Sequence, residues 1–334
     1  MAVDDQIDAL LDAAGARQNR RVLRDILATA VGLAGDDVDP LDLKITRATL
    51  AEMRDAFRTF APYRGFPKVT MFGSARVKHD DPHYVTARAV AARLAAEGWM
   101  VVTGAGPGIM AAGMEGAGRE RSFGVTIRLP HEQEANPVIL GDPKLVSMKY
   151  FFTRKLMLIK ESKAFVCLPG GFGTLDETFE LLTLTQTGKG VPVPIVLLDT
   201  PGGWFWRDAA AFIDGELAAR GLIGPNDHEL FLVTDDADRA VAEIVRFYST
   251  YDSIRFVGTT LVIRLHRTPS DAELVDLNAR FAHLCTGAIR LTEPLRDEVA
   301  DDDKLDLPRL RLDAYTYDQA GLRMLINALN AAAP

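Results

Sequence analysis

One rhythm runs through residues 67–248, a short apolar, β-rich run followed by an amphipathic helical stretch, and it limits the fold more than any other feature of the chain. Residues 68–72, 99–103, 123–127, 145–146, 164–168, 193–198 and 230–233 read as strands. Residues 84–97, 109–119, 149–161, the stretch through Leu181, Leu182 and Leu184, residues 206–219 and 237–248 read as helices. Alternation at this spacing predicts an α/β fold, a Rossmann-like parallel sheet with helices on both faces. Ligands of such sheets sit outside the carboxyl ends of the strands. Three glycine turns follow strands and should share that edge: Gly73-Ser74-Ala75-Arg76, Gly104-Ala105-Gly106-Pro107-Gly108 and Pro169-Gly170-Gly171-Phe172-Gly173-Thr174.

The flanks break the rhythm. Residues 1–62 read as an N-terminal helical extension, with Ile7, Leu10, Leu11 and then Val22, Leu23, Ile26, Leu27, Val31 at helical spacing. Asp36, Asp37 and Pro40 interrupt it, and a third helix is expected over 46–60. Residues 63–250 are expected to form one Rossmann-like domain, the one that would carry a catalytic site. Residues 251–334 read as a small α+β appendage with a strand at 258–265, a helix at 270–284 opened by a Ser270–Glu273 capping box, strands at 289–291 and 310–312, and a last helix at 319–329. The acidic residues Asp297, Glu298, Asp301, Asp302 and Asp303 read as a solvated loop rather than a metal site.

A net charge of −8 opposes a role in binding duplex nucleic acid, which needs a basic face. Cys167 and Cys285 stand far apart in apolar surroundings, as buried thiols of a reducing compartment do. The N-terminus is acidic where a signal peptide is basic, and no apolar run approaches the ~18 residues of a membrane span. The expected location is therefore the cytoplasm, with no membrane partner.

The turns discriminate among ligands. In the second, Ile109 holds the place of the last glycine of a dinucleotide fingerprint, and the acidic residue expected ~20 positions on is missing, which disfavours NAD. Pro107 suits a first helical turn, so this loop either presents N–H groups to a ligand or is a structural tight turn. Gly73-Ser74-Ala75-Arg76 says little alone. The third turn lacks the Lys-Ser or Lys-Thr of a Walker A loop and fits a monophosphate better. Glu177 follows it, and a carboxylate beside an anion-binding turn needs a separate job. It either closes a Thr174–Glu177 capping box or does chemistry. Arg154 favours chemistry. The helix carrying it must run antiparallel to the strand that follows; Arg154 to Glu161 spans ~11 Å and the strand ~17 Å, so Arg154 and Glu177 can meet at one edge. His79 and His83 are spaced like metal ligands, but Pro82 lies between them and no third ligand stands near, so neither a metal nor a cofactor is expected.

The stretch Ser147-Met148-Lys149-Tyr150-Phe151-Phe152-Thr153-Arg154-Lys155, followed by Pro169-Gly170-Gly171-Phe172-Gly173-Thr174-Leu175-Asp176-Glu177, resembles the PGGxGTxxE signature of the LOG (lonely guy) family, whose members were long labelled lysine decarboxylases. The Thr183 and Gln186 region and the two earlier turns extend the likeness over residues 67–250. The resemblance implies a Rossmann-like fold, a homodimer or higher homo-oligomer, and hydrolysis of nucleoside 5′-monophosphates, AMP-like or cytokinin ribosides, to free base and ribose 5-phosphate. It implies Arg154 and Glu177 as the catalytic pair. Its expected substrate contacts are Gly73, Ser74, Gly104, Gly106, Gly108, Met148, Lys155, Gly170, Gly171, Gly173, Thr174, Asp176 and Thr183. Met148-Lys149 stands where the family has Met-His, and Asp176 where Glu is more frequent. Three other readings remain: a pyridoxal-phosphate decarboxylase, with Lys155 or Lys163 candidates by position only, a non-catalytic nucleotide or cofactor carrier using the same loops, and a nucleotide-sensing module.

Overall fold

In the computed structural model, which describes residues 3–128 and 135–331, every strand between residues 68 and 234 is parallel to its neighbours. These are β1 (Lys68–Phe72), β2 (Met100–Thr103), β3 (Ser122–Ile127), β4 (Leu145–Met148), β5 (Ala164–Cys167), β6 (Ile195–Leu198) and β7 (Leu232–Thr234). Among the described residues they form a seven-stranded sheet in the order β4-β3-β2-β1-β5-β6-β7. The chain therefore builds outward from β1 on one side and returns to build outward from β5 on the other. The switch point lies between β1 and β5, where open parallel sheets bind ligands.

The chain divides into two compact units, one up to Phe57 and one from Arg58 onward. In the first, α1 (Val3–Ala13) is tied to α2 (Arg20–Gly32) by Arg20 with Asp8 and Asp12, and by Arg24 with Asp4 and Asp8. The third helix, α3 (Pro40–Phe60), begins six residues before the expected Thr46. Pro40 starts it rather than interrupting it: a proline at the first helical position lacks an N–H that would be orphaned anyway, and the Asp39 carboxylate accepts from Leu41 N at 2.7 Å.

In the second unit, α4 (Pro82–Ala96), α5 (Ile109–Ala117), α6 (Phe151–Lys160), α7 (Phe172–Gln186), α8 (Phe205–Phe212) and α9 (Ala237–Phe247) flank the parallel sheet. With both faces covered, β1, β2 and β5 are mostly apolar and buried at every position, including the polar Lys68, Thr70 and Thr103. Val69, Met71, Val101, Val166 and Val196 pack with Ala87, Leu94, Ile109, Ala112 and Ile244 in one core. The stretch between β3 and β4, broken in the sequence by Pro130, Pro137 and Pro143, lies partly outside the described residues.

Beyond residue 250, β8 (Tyr251–Val257), β9 (Thr260–Leu265), β10 (Arg290–Leu291) and β11 (Arg309–Leu312) form an antiparallel sheet ordered β10-β11-β9-β8. The helices α10 (Asp271–Phe281), α11 (Arg296–Ala300) and α12 (Gln319–Ala331) accompany it. The Ser270–Glu273 capping box opens α10 as expected. The strand expected at 258–265 is the second half of a hairpin: Gly258, at φ 61°, turns the chain from β8 into β9. Polar Asp252 and Ser253 and a register shift there mask the alternation of β8.

The acidic run is solvated at Asp297, Asp301 and Asp302 but not throughout. Glu298 is fully buried on the sheet, 2.8 Å from Arg264 and 2.8 Å from Arg309, while Asp301 and Asp303 hold Arg255. From α12, Arg323 donates to Val193 O at 3.1 Å and pairs with Glu243 of α9, which fastens the antiparallel layer to the parallel one.

Candidate active site

The three glycine turns interlock at the carboxyl edge of the parallel sheet. Ser74 N donates to Pro169 O at 3.2 Å, and Ile109 N donates to Ser74 O at 3.0 Å. The glycines permit this. A Cβ on Gly108 (φ 66°) would stand 2.3 Å from Ser74 O, one on Gly73 would stand 2.7 Å from Ile109, and one on Gly170 would stand 2.2 Å from Thr174 Oγ1. At Gly171 and Gly173 a Cβ would meet nothing within 4 Å, so only these two face open space. Clearance inside the protein and clearance toward a ligand are thus divided among glycines that look alike in the sequence.

A cleft of 750 Å³ opens over the switch point, lined by Gly73, Ser74, Ala75, Arg76, Met110, Arg154, Gly170, Gly171, Phe172, Gly173, Thr174, Leu175 and Glu177. This size is ordinary for a small-molecule site. The helix α7 begins at its floor, with Gly171 as an N-cap that supplies no side-chain hydrogen bond. Its first-turn N–H groups and positive dipole end are left for an anion. The helix starts at Phe172, so Thr174 lies within its first turn and the Thr174–Glu177 capping box does not form. Glu177 has no capping duty.

Arg154, on α6, and Glu177, on α7, meet as the antiparallel geometry requires, with Nη1 3.8 Å from Oε1. Both side chains are mostly buried, 13% and 15% exposed. The Arg154 Nε–H also donates to Val125 O, within β3, at 3.0 Å. Burial raises the Glu177 carboxyl from 4.5 to about 7; Arg154 opposes the rise and Asp176 adds to it. Burial likewise lowers the Arg154 guanidinium, and Glu177 opposes that. Both shifts say the same thing: the ion pair is held in a poorly solvated place. Cys167, at the end of β5, is fully buried with its thiol pushed up to about 12, and so is no nucleophile at neutral pH.

The remaining expected contacts fall elsewhere. Gly104, Gly106 and Gly108 stand behind the cleft wall, against Arg154, Met110 and Ser74 respectively. Met148 ends β4, fully buried. Lys155 reaches Glu180 at 2.8 Å and Asp176 at 3.1 Å, which together hold its ammonium above the ordinary lysine value. The Thr183 hydroxyl donates to Phe179 O. Lys163 lies at the start of β5, the opposite edge from the glycine turns. His83 lies 2.9 Å from Asp81 and 3.0 Å from Asp199, while His79 stacks on Tyr84. Sequence reasoning missed Met110 and the Val125 carbonyl; the first had no signal beyond its place after the second turn, and the second is a backbone atom with none.

Fold and cleft together define a doubly wound α/β protein with an uncapped helix start and a buried Arg–Glu pair at its switch point. The family described as "Possible lysine decarboxylase" matches residues 108–244. A cytokinin riboside 5′-monophosphate phosphoribohydrolase of Mycobacterium marinum (strain ATCC BAA-535 / M) is 32% identical over 160 residues, covering 46% of this chain and 81% of that protein. A protein of the same description from Arabidopsis thaliana is 31% identical over 101 residues, 30% of this chain and 45% of that one. The chain belongs to this family, the LOG family. It spans 40% to 62% of the length of the first five plant relatives it matches. Among solved structures, a molybdenum cofactor binding protein from Rippkaea orientalis aligns with 54% of this chain and 96% of its own, with 15% identity and a TM-score of 0.39.

Proposed function

We propose that the cleft hydrolyses the N-glycosidic bond of nucleoside 5′-monophosphates, releasing free base and ribose 5-phosphate. The observation that carries this reading is the buried Arg154–Glu177 pair beside the uncapped start of α7. The names of the relatives support it. The phosphate binds the N–H groups at Gly171–Thr174, an anchor remote from the bond that breaks. As the bond between C1′ and the base nitrogen lengthens, positive charge builds on the ribose, and ionised Glu177 stabilises it. Water adds to C1′, and its proton ends on the departing base. Arg154 holds the Glu177 carboxylate in place and engages the polar groups of the substrate. AMP and cytokinin riboside monophosphates share the ribose phosphate this scheme reads.

A panel of nucleoside monophosphates, assayed for free base and ribose 5-phosphate, tests the proposal. Release from at least one, abolished in Glu177→Gln, is the expected result. Tight retention of a nucleotide with no release from any of them would sink the hydrolase reading in favour of a carrier. Exposed Phe151, Phe152 and Leu156 on α6 give a second copy an apolar surface to pack on, and sedimentation of the purified protein tests the expected homodimer. We place the protein in the cytoplasm; among the described residues no helix is long and apolar enough to cross a membrane.

A further inference from the structure

Gly104 follows β2 in the second glycine turn, and its backbone does not ask for glycine. Gly108 has a left-handed φ of 66°, whereas Gly104 is absent from the positive-φ positions. What Gly104 supplies is room. A Cβ there would stand 2.1 Å from Arg154 Nη2, 3.3 Å from Arg154 Cζ and 2.8 Å from Met110 Sδ. Gly104 is buried, so a ligand in the cleft does not explain its missing side chain.

The same guanidinium is fixed on its other sides. Nε donates to Val125 O at 3.0 Å, and Nη1 lies 3.8 Å from Glu177 Oε1. Each edge of the planar fork therefore has an assigned neighbour: the Val125 carbonyl of β3, the bare Cα after β2, and the carboxylate on α7. The methionine end is flexible and can give way. The guanidinium cannot do so without losing its bond to Val125 or its station beside Glu177.

We propose that Gly104 is a positioning residue whose bare Cα seats the Arg154 guanidinium, so that the reaction depends on Gly104 through Arg154 and not through contact with substrate. This rests on the reading of Arg154 and Glu177 as the catalytic pair. Any side chain at position 104 displaces the guanidinium from Glu177, while the phosphate anchor at α7 is untouched. Misplacement by an ångström or so is enough to lower turnover about 100-fold without weakening the anchor.

A double-mutant cycle tests this: Gly104→Ala and Arg154→Ala, singly and together. The readouts are kcat and KM on the best nucleoside monophosphate, thermal stability, and the titration of Glu177 followed by carboxyl carbon NMR. Gly104→Ala alone should lower kcat about 100-fold with little change in KM. It should also lower the Tm and move the Glu177 titration upward, because the charge opposing its rise has moved away. In the Arg154→Ala background, where the Cβ has room, adding Gly104→Ala should change none of the three further. Equal losses in both backgrounds would overturn the proposal, as would recovery of Gly104→Ala by Met110→Ala, which would make the seat the methionine's. If Gly104→Ala fails to fold, the double variant should still fold; failure of both overturns the proposal. Should wild type hydrolyse nothing, the proposed function fails, while stability and titration still decide the seat.

Discussion

Replacing Glu177 by glutamine should stabilise the protein, and only at the pH where the enzyme would work. The carboxyl is raised from 4.5 to about 7, chiefly by burial. Below pH ~4.5 it is protonated in folded and unfolded chains alike and burial carries no ionic penalty. Between ~4.5 and 7 the unfolded chain ionises while the folded one holds its proton, so the contribution of this group to stability falls as pH rises, at about 1.4 kcal/mol per pH unit. Above 7 the loss is complete, near 3 kcal/mol by order of magnitude. Glutamine has no proton to lose, so Glu177→Gln should gain on wild type across this window and then hold a constant lead. Urea unfolding at a series of pH values from 5 to 8.5 measures the difference. Tryptophan fluorescence is the suitable probe, because Trp99, Trp204 and Trp206 all lie in the unit from Arg58 onward. A difference between the two proteins that stays flat with pH, or that favours wild type as pH rises, would refute the reasoning.

Activity should run the other way. Under the proposed hydrolysis Glu177 acts as the carboxylate, so kcat/KM should climb with pH through about 7, and a profile flat from 5.5 to 8 would deny it that role. Gly170→Ala puts a Cβ 2.2 Å from Thr174 Oγ1 and 3.0 Å from Ser74 N, and should cost about 1–3 kcal/mol by denaturant unfolding. Gly171→Ala meets nothing within 4 Å and should hold stability to within about 0.5 kcal/mol while raising KM, since the methyl occupies space a phosphate needs. Arg323→Ala leaves Glu243 unpaired and removes a donor to Val193 O, for an expected loss of about 1–3 kcal/mol by urea unfolding; Arg323→Met, which fills the space but leaves both partners just as unpaired, should recover only the packing share of it.

The parallel sheet was legible because both of its faces are covered: β1, β2 and β5 are mostly apolar, and Lys68, Thr70 and Thr103 are too few to impose a polar face on them. The convergence of Arg154 and Glu177 was legible because a helix between parallel strands has only one direction to run. What escaped notice depended on partners distant in the chain. Glu298 reads as solvated among its acidic neighbours until Arg264 and Arg309 close over it. Pro40 reads as a break because the difference between a stop and a start is whether a helix precedes it. The glycines read alike because sequence records a missing Cβ without saying what fills its place. At Gly104 that is Arg154, at Gly170 it is Thr174, and at Gly171 it is open space.

A carboxylate beside an anion-binding turn looks self-defeating only if the site is judged by how well it binds its ground state. Glu177 is solvated poorly and 3.8 Å from a guanidinium that is itself mostly buried, so its ionised form is held where neither water nor its partner fully compensates it. Under the proposed hydrolysis the missing compensation arrives when positive charge develops on the ribose. An interaction weak in the free enzyme and strong in the transition state accelerates the reaction, whereas one equally strong in both does not. A closer, bidentate Arg154 would stabilise the fold and blunt the carboxylate. On the proposed reading, the arginine at 3.8 Å, steadied by Val125 and seated on Gly104, orients Glu177 and leaves most of its charge for the substrate.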